Sequence, residues 1–231
     1  MATTATFDTY KSVGIREDLL DVIYDISPSD TPFVSNIGSG TSKGTFHEWQ
    51  KDSLDAASNS PVAEGADATA AALEPTTRIG NYCQINDRTF VLSGSDMVAD
   101  NAGRGVEMAY QEAKKALELR QSVEIACVGE NNARAAGAGN AGGAPSARVS
   151  ASVTAWIATN TNKEGTGTDP TAEDGSDARN DGATRAFTES MLEDVVDQCY
   201  TAGANPNMIM TGVTQKRVIT GTFDGKADEY K

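Results

Sequence analysis

The stretch "GRGVEMAYQEAKKALELRQSVEIACVGENN", residues 103 to 132, constrains the fold more than any other part of this chain. Val106, Ala109, Tyr110, Ala113, Ala116, Leu117, Val123 and Cys127 recur at helical spacing. No proline interrupts them, and Lys114 stands four residues before Glu118, the spacing of a surface ion pair. About 26 helical residues at about 1.5 Å each predict a strut of about 40 Å. A rod of that length is a structural strut, long for a single small domain.

The remaining sequence supplies little with which to cover the rod. Leu, Ile, Val and Phe together number 39 of 231 residues, against a net charge of -14. That proportion, roughly 17%, lies near the range where high charge opposes folding into a thick core. An extended molecule completed by its neighbours fits this composition better than a compact enzyme. The acidity keeps the chain soluble and disfavours direct binding to a phosphate backbone, since Lys and Arg never run longer than two.

Upstream, Ile15, Leu19, Val22, Ile23 and Ile26 alternate with Arg16, Glu17, Asp18, Asp21 and Asp25, which predicts an amphipathic helix ended by Ser27-Pro28. So short a helix is marginal alone in water and requires a docking surface. Residues 45–50 and 77–92 read as strands, with Ile79, Cys83, Ile85, Thr89 and Val91 on one face of the second. The Ala/Ser/Asp-rich "DSLDAASNSPVAEGADATAAALEPT" between them predicts a wide excursion, a length that a compact domain seldom carries without a use.

Residues 133–186 are low in complexity, with one apolar island at 149–157 around Trp156 that predicts a strand or a docked segment. Thr188 is a candidate N-cap for a helix whose stripe is Met191, Leu192, Val195 and Cys199, ended by Ala202-Gly203. "NMIMTG" reads as a short buried strand, and Thr214 as the cap of a last helix through Ile219. The two helices and the strand suggest a small α/β subdomain.

Motifs that carry chemistry fail on context. Gly137, Gly139 and Gly142 satisfy G-x-G-x-x-G, but a helix precedes them and "GAPSAR" follows, where a dinucleotide site needs a strand before and a helix after. Asp169, Glu173, Asp174, Asp177 and Asp181 offer oxygen for a cation without the alternating ligand order of a calcium loop, so a solvated acidic loop is the better reading. His47 is the only histidine, which excludes multi-His metal sites and leaves any Ser-His or Cys-His pair to this residue alone; its alternating position in "TFHEWQ" places it on a strand surface. Phe46, Trp49 and Tyr82 read as cross-strand packing partners rather than a stacking platform. Cys83, Cys127 and Cys199 lack Cys-x-x-Cys spacing, in keeping with a reducing compartment. No export signal and no run of about 18 apolar residues is visible.

Four segments carry a resemblance: "FDTYKSVGIREDLLDVIYDISPSDTPFVSNIG", "AGRGVEMAYQEAKKALELRQSVEIACVGENNA", "SARVSASVTAWIATN" and "RAFTESMLEDVVDQCYTAGANPNMIMTGVTQKRVITGTF". Their Ser-Pro-x-x-Thr-Pro-Phe and Arg-Ala-Phe-Thr elements are the most specific parts. In wording and order they resemble the tailed-bacteriophage major capsid proteins of the Hong Kong 97-type fold, in a family long filed as a domain of unknown function. The resemblance implies an α+β chain with an N-terminal arm (1–38), an extended β-loop of two long strands (39–94) and a spine helix of the peripheral domain (95–132). An irregular segment with a docked strand (133–186, 149–158) and a partial α/β axial domain (187–231) would follow. Residues 158–183 look like an enlarged loop. Members usually continue beyond the position of Lys231, so a C-terminally truncated chain is expected.

The implied function is structural and non-enzymatic. The subunit would self-assemble into hexamers and pentamers around double-stranded DNA, with scaffold and portal proteins as further partners and neither cofactor, metal nor membrane. Assembly would take place in the host bacterial cytoplasm, and the product would be the virion capsid. Ile15, Leu19, Val22, Ile26, Phe33, Phe46 and Trp49 are the expected assembly contacts. Some relatives cross-link Lys to Asn, for which Lys43 and Lys51 supply the lysine half and no motif supplies the rest. The alternatives are another virion or extracellular adhesion protein, which would show repeats, and a carboxylate- or metal-dependent enzyme near Gly212, which would show a deep pocket.

Overall fold

The computed structural model describes residues 29–67, 70, 72–99, 101, 103, 105–139 and 146–223. The predicted helix at 15–26, and with it Ile15, Leu19, Val22 and Ile26, lies outside the described residues. The described elements are mixed, with helices and one small sheet, so the α+β expectation holds at that level. The chain divides into two units, one containing 87–119 and the other 31–86 and 120–231, with the border falling inside the longest helix.

In the first unit, α2 (Gly94–Val98) is capped by Ser93, whose side chain accepts from the Asp96 N–H at 3.2 Å. The longest helix, α3, spans Glu107–Glu124, and a π-helical turn, Ile125–Gly129, follows it. The spine is therefore shorter than the 26 residues expected, and its last turn is widened. Glu118 is bonded by Lys115 at 2.6 Å, one residue from the expected Lys114, because i,i+3 pairs are also neighbours on a helix. Much of the stripe that reads as core-facing is uncovered: Val106 and Leu117 are exposed, as are Ala109, Ala113 and Ala116.

In the second unit, α1 (Pro32–Asn36) opens with Pro32, whose fixed φ suits a first helical turn. Strand β1 (Phe46–Lys51) pairs antiparallel with β2 (Thr77–Tyr82), in the register Phe46 with Tyr82 through Lys51 with Thr77. Both strands are six residues long: β1 agrees with the expected 45–50, while β2 ends at Tyr82 and not at the expected Leu92. Beyond Tyr82 the Cys83 N–H still reaches across, to the Thr45 carbonyl at 2.9 Å, and the chain then meets 148–150: Arg148 Nε donates to the Cys83 carbonyl at 3.1 Å, and Ser150 N–H to the Gln84 side-chain oxygen Oε1 at 3.0 Å. Gly80 is required opposite Glu48, since a Cβ there would meet the His47 carbonyl oxygen at 2.6 Å and the Phe46 ring at 2.9 Å.

The apolar island around Trp156 is a docked segment with a 3₁₀ turn, Val153–Trp156, rather than a strand. It holds the buried centre: Ala155 and Ser152 are fully buried, and Ala151 nearly so. Those two alanines are the only buried hydrophobic residues among the described ones.

Helix α4 (Glu189–Thr201) has the predicted bounds, beginning after Thr188 and ending at Ala202 with Gly203 at φ 86°, but the Thr188 side chain makes no capping hydrogen bond and lies 3.1 Å from Ser190 Oγ. Its stripe of Met191, Leu192, Val195 and Cys199 is only half-buried. Helix α5 (Val213–Phe223) starts at Val213 and runs past Ile219. The predicted buried strand at 207–212 does not form. No described strand pairs with it and its methionines are exposed, so the expected α/β subdomain is here two helices joined by an extended segment.

Candidate functional site

Three constellations place charged and aromatic side chains, all in the second unit. The first joins α1 to the end of α3. Glu124 accepts from the Phe33 N–H with one carboxylate oxygen and from the Val34 N–H with the other, each at 2.8 Å. These are orphan donors of a helix start, where partial positive charge favours an anion. One turn earlier Arg120 donates to Ser35 Oγ at 2.7 Å, and Ser35 Oγ–H donates to the Thr31 carbonyl at 2.6 Å. The Thr-Pro-Phe element is thus a turn clipped to α3 by residues some 90 positions away, with Phe33 half-buried. Cys127 lies one turn past Glu124. Burial and the Glu124 charge push its thiol above the usual range.

The second constellation is the root of the β1–β2 hairpin. Phe46 and Tyr82 pack across the strands with ring centroids 4.5 Å apart, as the cross-strand reading expects. Trp49, 40% exposed, packs on Trp156 at 5.2 Å and 35°, and His47 lies 6.0 Å from Trp49. Tilted against each other, the two indoles do not form one flat sugar platform. Asn81 fixes the docked segment from both ends of its amide, accepting from the Ala151 N–H at 2.9 Å and donating to Ser150 Oγ at 3.0 Å. Arg134 reaches furthest. It donates to the Gly80 carbonyl, pairs with Asp174 at 2.9 Å, lies 5.5 Å over the Phe46 ring, and gives its backbone N–H to the Gly175 carbonyl at 2.8 Å.

The third is the acidic segment, which is exposed over much of its length, as the solvated-loop reading expects, and is also cross-tied. Glu173 takes Lys51, whose hydrogen bond holds the carboxyl below the usual range. Asp174 is lowered first by the Ser176 hydroxyl and backbone N–H, then by Arg134. Burial pushes Asp169 up, but the Lys163 and Thr161 hydrogen bonds outweigh it. Glu164 is lowered by Thr166 and the Ala183 N–H, and Asp177 accepts from Thr171. Among the described residues no group of three or more His, Cys, Asp or Glu is placed to hold a metal ion. Gly137 and Gly139 sit at φ 66° and 59° beside the bridges Ala135–Val149 and Gly139–Ser146, and no helix starts next to them among the described residues; Gly142 lies outside the described residues.

Arg134, Asn81 and Glu124 carry no local signal. Arg134 stands in the low-complexity "ARAAGAG", and Asn81 and Glu124 are ordinary polar positions whose partners are 69 to 91 residues away. Lys51, half of the cross-link expectation, is engaged by Glu173.

A groove of about 350 Å³ lies along α4, with Phe187, Met191, Leu192 and Val195 beneath and Arg185, Asn162 and Gln215 at its edge. Arg185 donates to both oxygens of Asn162. No catalytic pair faces it.

Side chains whose polar groups hold their own backbone, beside apolar ones left uncovered, make the chemistry of a structural protein. A profile of the SU10 major capsid protein family matches residues 2–231, and the chain belongs to that family of structural, non-enzymatic phage proteins. It is also 33% identical over 125 residues to the major capsid protein of Escherichia phage Phieco32, a stretch that covers 54% of this chain and 36% of the relative. The matched stretch is thus about a third of that relative's length.

Proposed function

We propose that the chain is a shell-forming subunit of a tailed-phage head with the Hong Kong 97-type arrangement, in which copies join as hexamers and pentamers around double-stranded DNA. Under this reading residues 1–38 are an arm, 39–94 the extended loop, α3 the spine and 187–231 part of the axial domain. The family supports a virion shell role, and one observation carries the reading from the chain itself. Leu54, Leu73 and Val91 are 99, 94 and 95% exposed, while the buried hydrophobics among the described residues are two alanines. Apolar area left uncovered in one copy is the kind that obligate interfaces bury between copies.

Phe33, Phe46 and Trp49, with Ile15, Leu19, Val22 and Ile26, are the proposed assembly contacts. Trp49 is the best placed of the three described ones, because part of its indole faces outward. Scaffold and portal proteins are proposed further partners, and assembly in the host cytoplasm belongs to the same reading. The net charge of -14 suits a lining that repels the packaged genome. Electron microscopy of protein expressed from the complete gene, after size-exclusion chromatography, tests the proposal. Closed shells or rings of five and six are expected, and a monomer that stays monomeric at high concentration overturns it.

A further inference from the structure

We propose that residues 158–183 are a rigid brace that fixes the direction in which the β1–β2 hairpin leaves the body of its unit. A two-stranded sheet on its own is marginal in water, and no third strand joins this one among the described residues. Something else must hold it.

The segment is cross-tied as a strut is. The Thr168–Asn180 bridge closes its middle. Lys163 and Thr161 hold Asp169, Thr171 holds Asp177, and Glu164 reaches Thr166 and the Ala183 N–H across its base. Its tip then grips both strands through consecutive residues. Glu173 takes Lys51 at the end of β1. Asp174 takes Arg134, which holds the Gly80 carbonyl of β2 and covers Phe46 of β1. Gly175, at φ 75°, lets the loop close on the Trp156 ring, where a Cβ would come within 2.8 Å, and Trp156 in turn carries Trp49.

The Arg134–Asp174 half is the stronger. Its side chains are 20 and 29% exposed, against 46 and 43% for Lys51 and Glu173. Arg134 is therefore the positioning residue of the brace. The planar fork of its guanidinium holds the Gly80 carbonyl and the Asp174 carboxylate on separate nitrogens in one fixed geometry, whereas a lysine ammonium is a flexible point charge. The consequence lies in the excursion at 52–76, whose ends are β1 and β2: its direction of departure is set by the brace.

The inference does not depend on shell formation, and its test uses the full chain in dilute solution. Amide exchange and the circular-dichroism exciton band of the Trp49–Trp156 pair are compared in wild type, E173Q/D174N and Arg134→Lys. Exchange at Trp49, Ile79 and Asn81 is expected to rise at least tenfold in the double variant, with a weakened exciton band, while the amides of α4 keep their protection. Arg134→Lys falls in between. Raising salt on the wild type moves the same amides in the same direction. Unchanged hairpin exchange overturns the proposal, and so does an equal rise in α4, which would make these bonds part of general stability.

Discussion

Glu124 and Gly175 show how much a single residue holds here. Removing the Glu124 carboxylate leaves two N–H groups of α1 without their acceptor, so Glu124→Ala is expected to cost about 1–2 kcal/mol and to speed amide exchange at Phe33 and Val34 first. Gly175→Ala meets both a left-handed backbone and the Trp156 ring, with an expected cost of about 2–3 kcal/mol in denaturant unfolding and a shifted Trp fluorescence. Cys127 offers a third check at this scale. Because its thiol is pushed up by burial and by Glu124, less of it is thiolate at pH 8 than in a free cysteine, and maleimide labels it more slowly. Glu124→Gln removes one of the two causes and speeds that labelling.

Among the elements, the braced segment holds most of the carboxyls whose titration couples to folding, with Glu118 of α3, lowered by the Lys115 hydrogen bond, outside it. Glu173, Asp174, Asp169 and Glu164 all have carboxyls held below their usual range. A lowered folded-state value means that the unfolded chain binds protons more readily, so the stabilisation is present above the unfolded value, near pH 4, and is lost as pH falls through the folded one. Amide protection at Thr168 and Asn180 is expected to hold from pH 7 to about 5 and to fall below about 4. Constant protection down to pH 2 would show that the ion pairs contribute nothing. Helices α3 and α4 were legible in sequence because their stripes repeat within a few residues. The 207–212 segment was not, since its short apolar run reads as a buried strand, while a strand needs a partner that no local pattern supplies.

For the molecule as a whole, uncovered apolar side chains and a thin interior make stability and association separable. Leu54→Glu and Leu73→Glu touch nothing that the fold buries, so thermal stability is expected to stay within about 0.5 kcal/mol of wild type. If these residues meet a neighbouring copy, sedimentation of the same variants will show fewer or smaller assemblies. Assembly at wild-type level would remove the 52–76 excursion from the proposed contacts.

The sequence by itself determined helices α3, α4 and α5, the place of two strands between 46 and 82 though not the end of the second, and, through the order of its segments, the kind of protein. All of these are local periodicities or local chemistry, and the chain carries them whatever its neighbours do. Only the tertiary structure decided which stripes are covered and where the charges go. Lys51 finds Glu173 across 122 residues, and Arg134 finds Asp174 and Gly80 across 40 and 54. An acidic segment that reads as solvated, and is largely exposed, is also tied across by such pairings, because an ion pair is fixed by distance in space, on which sequence separation is silent.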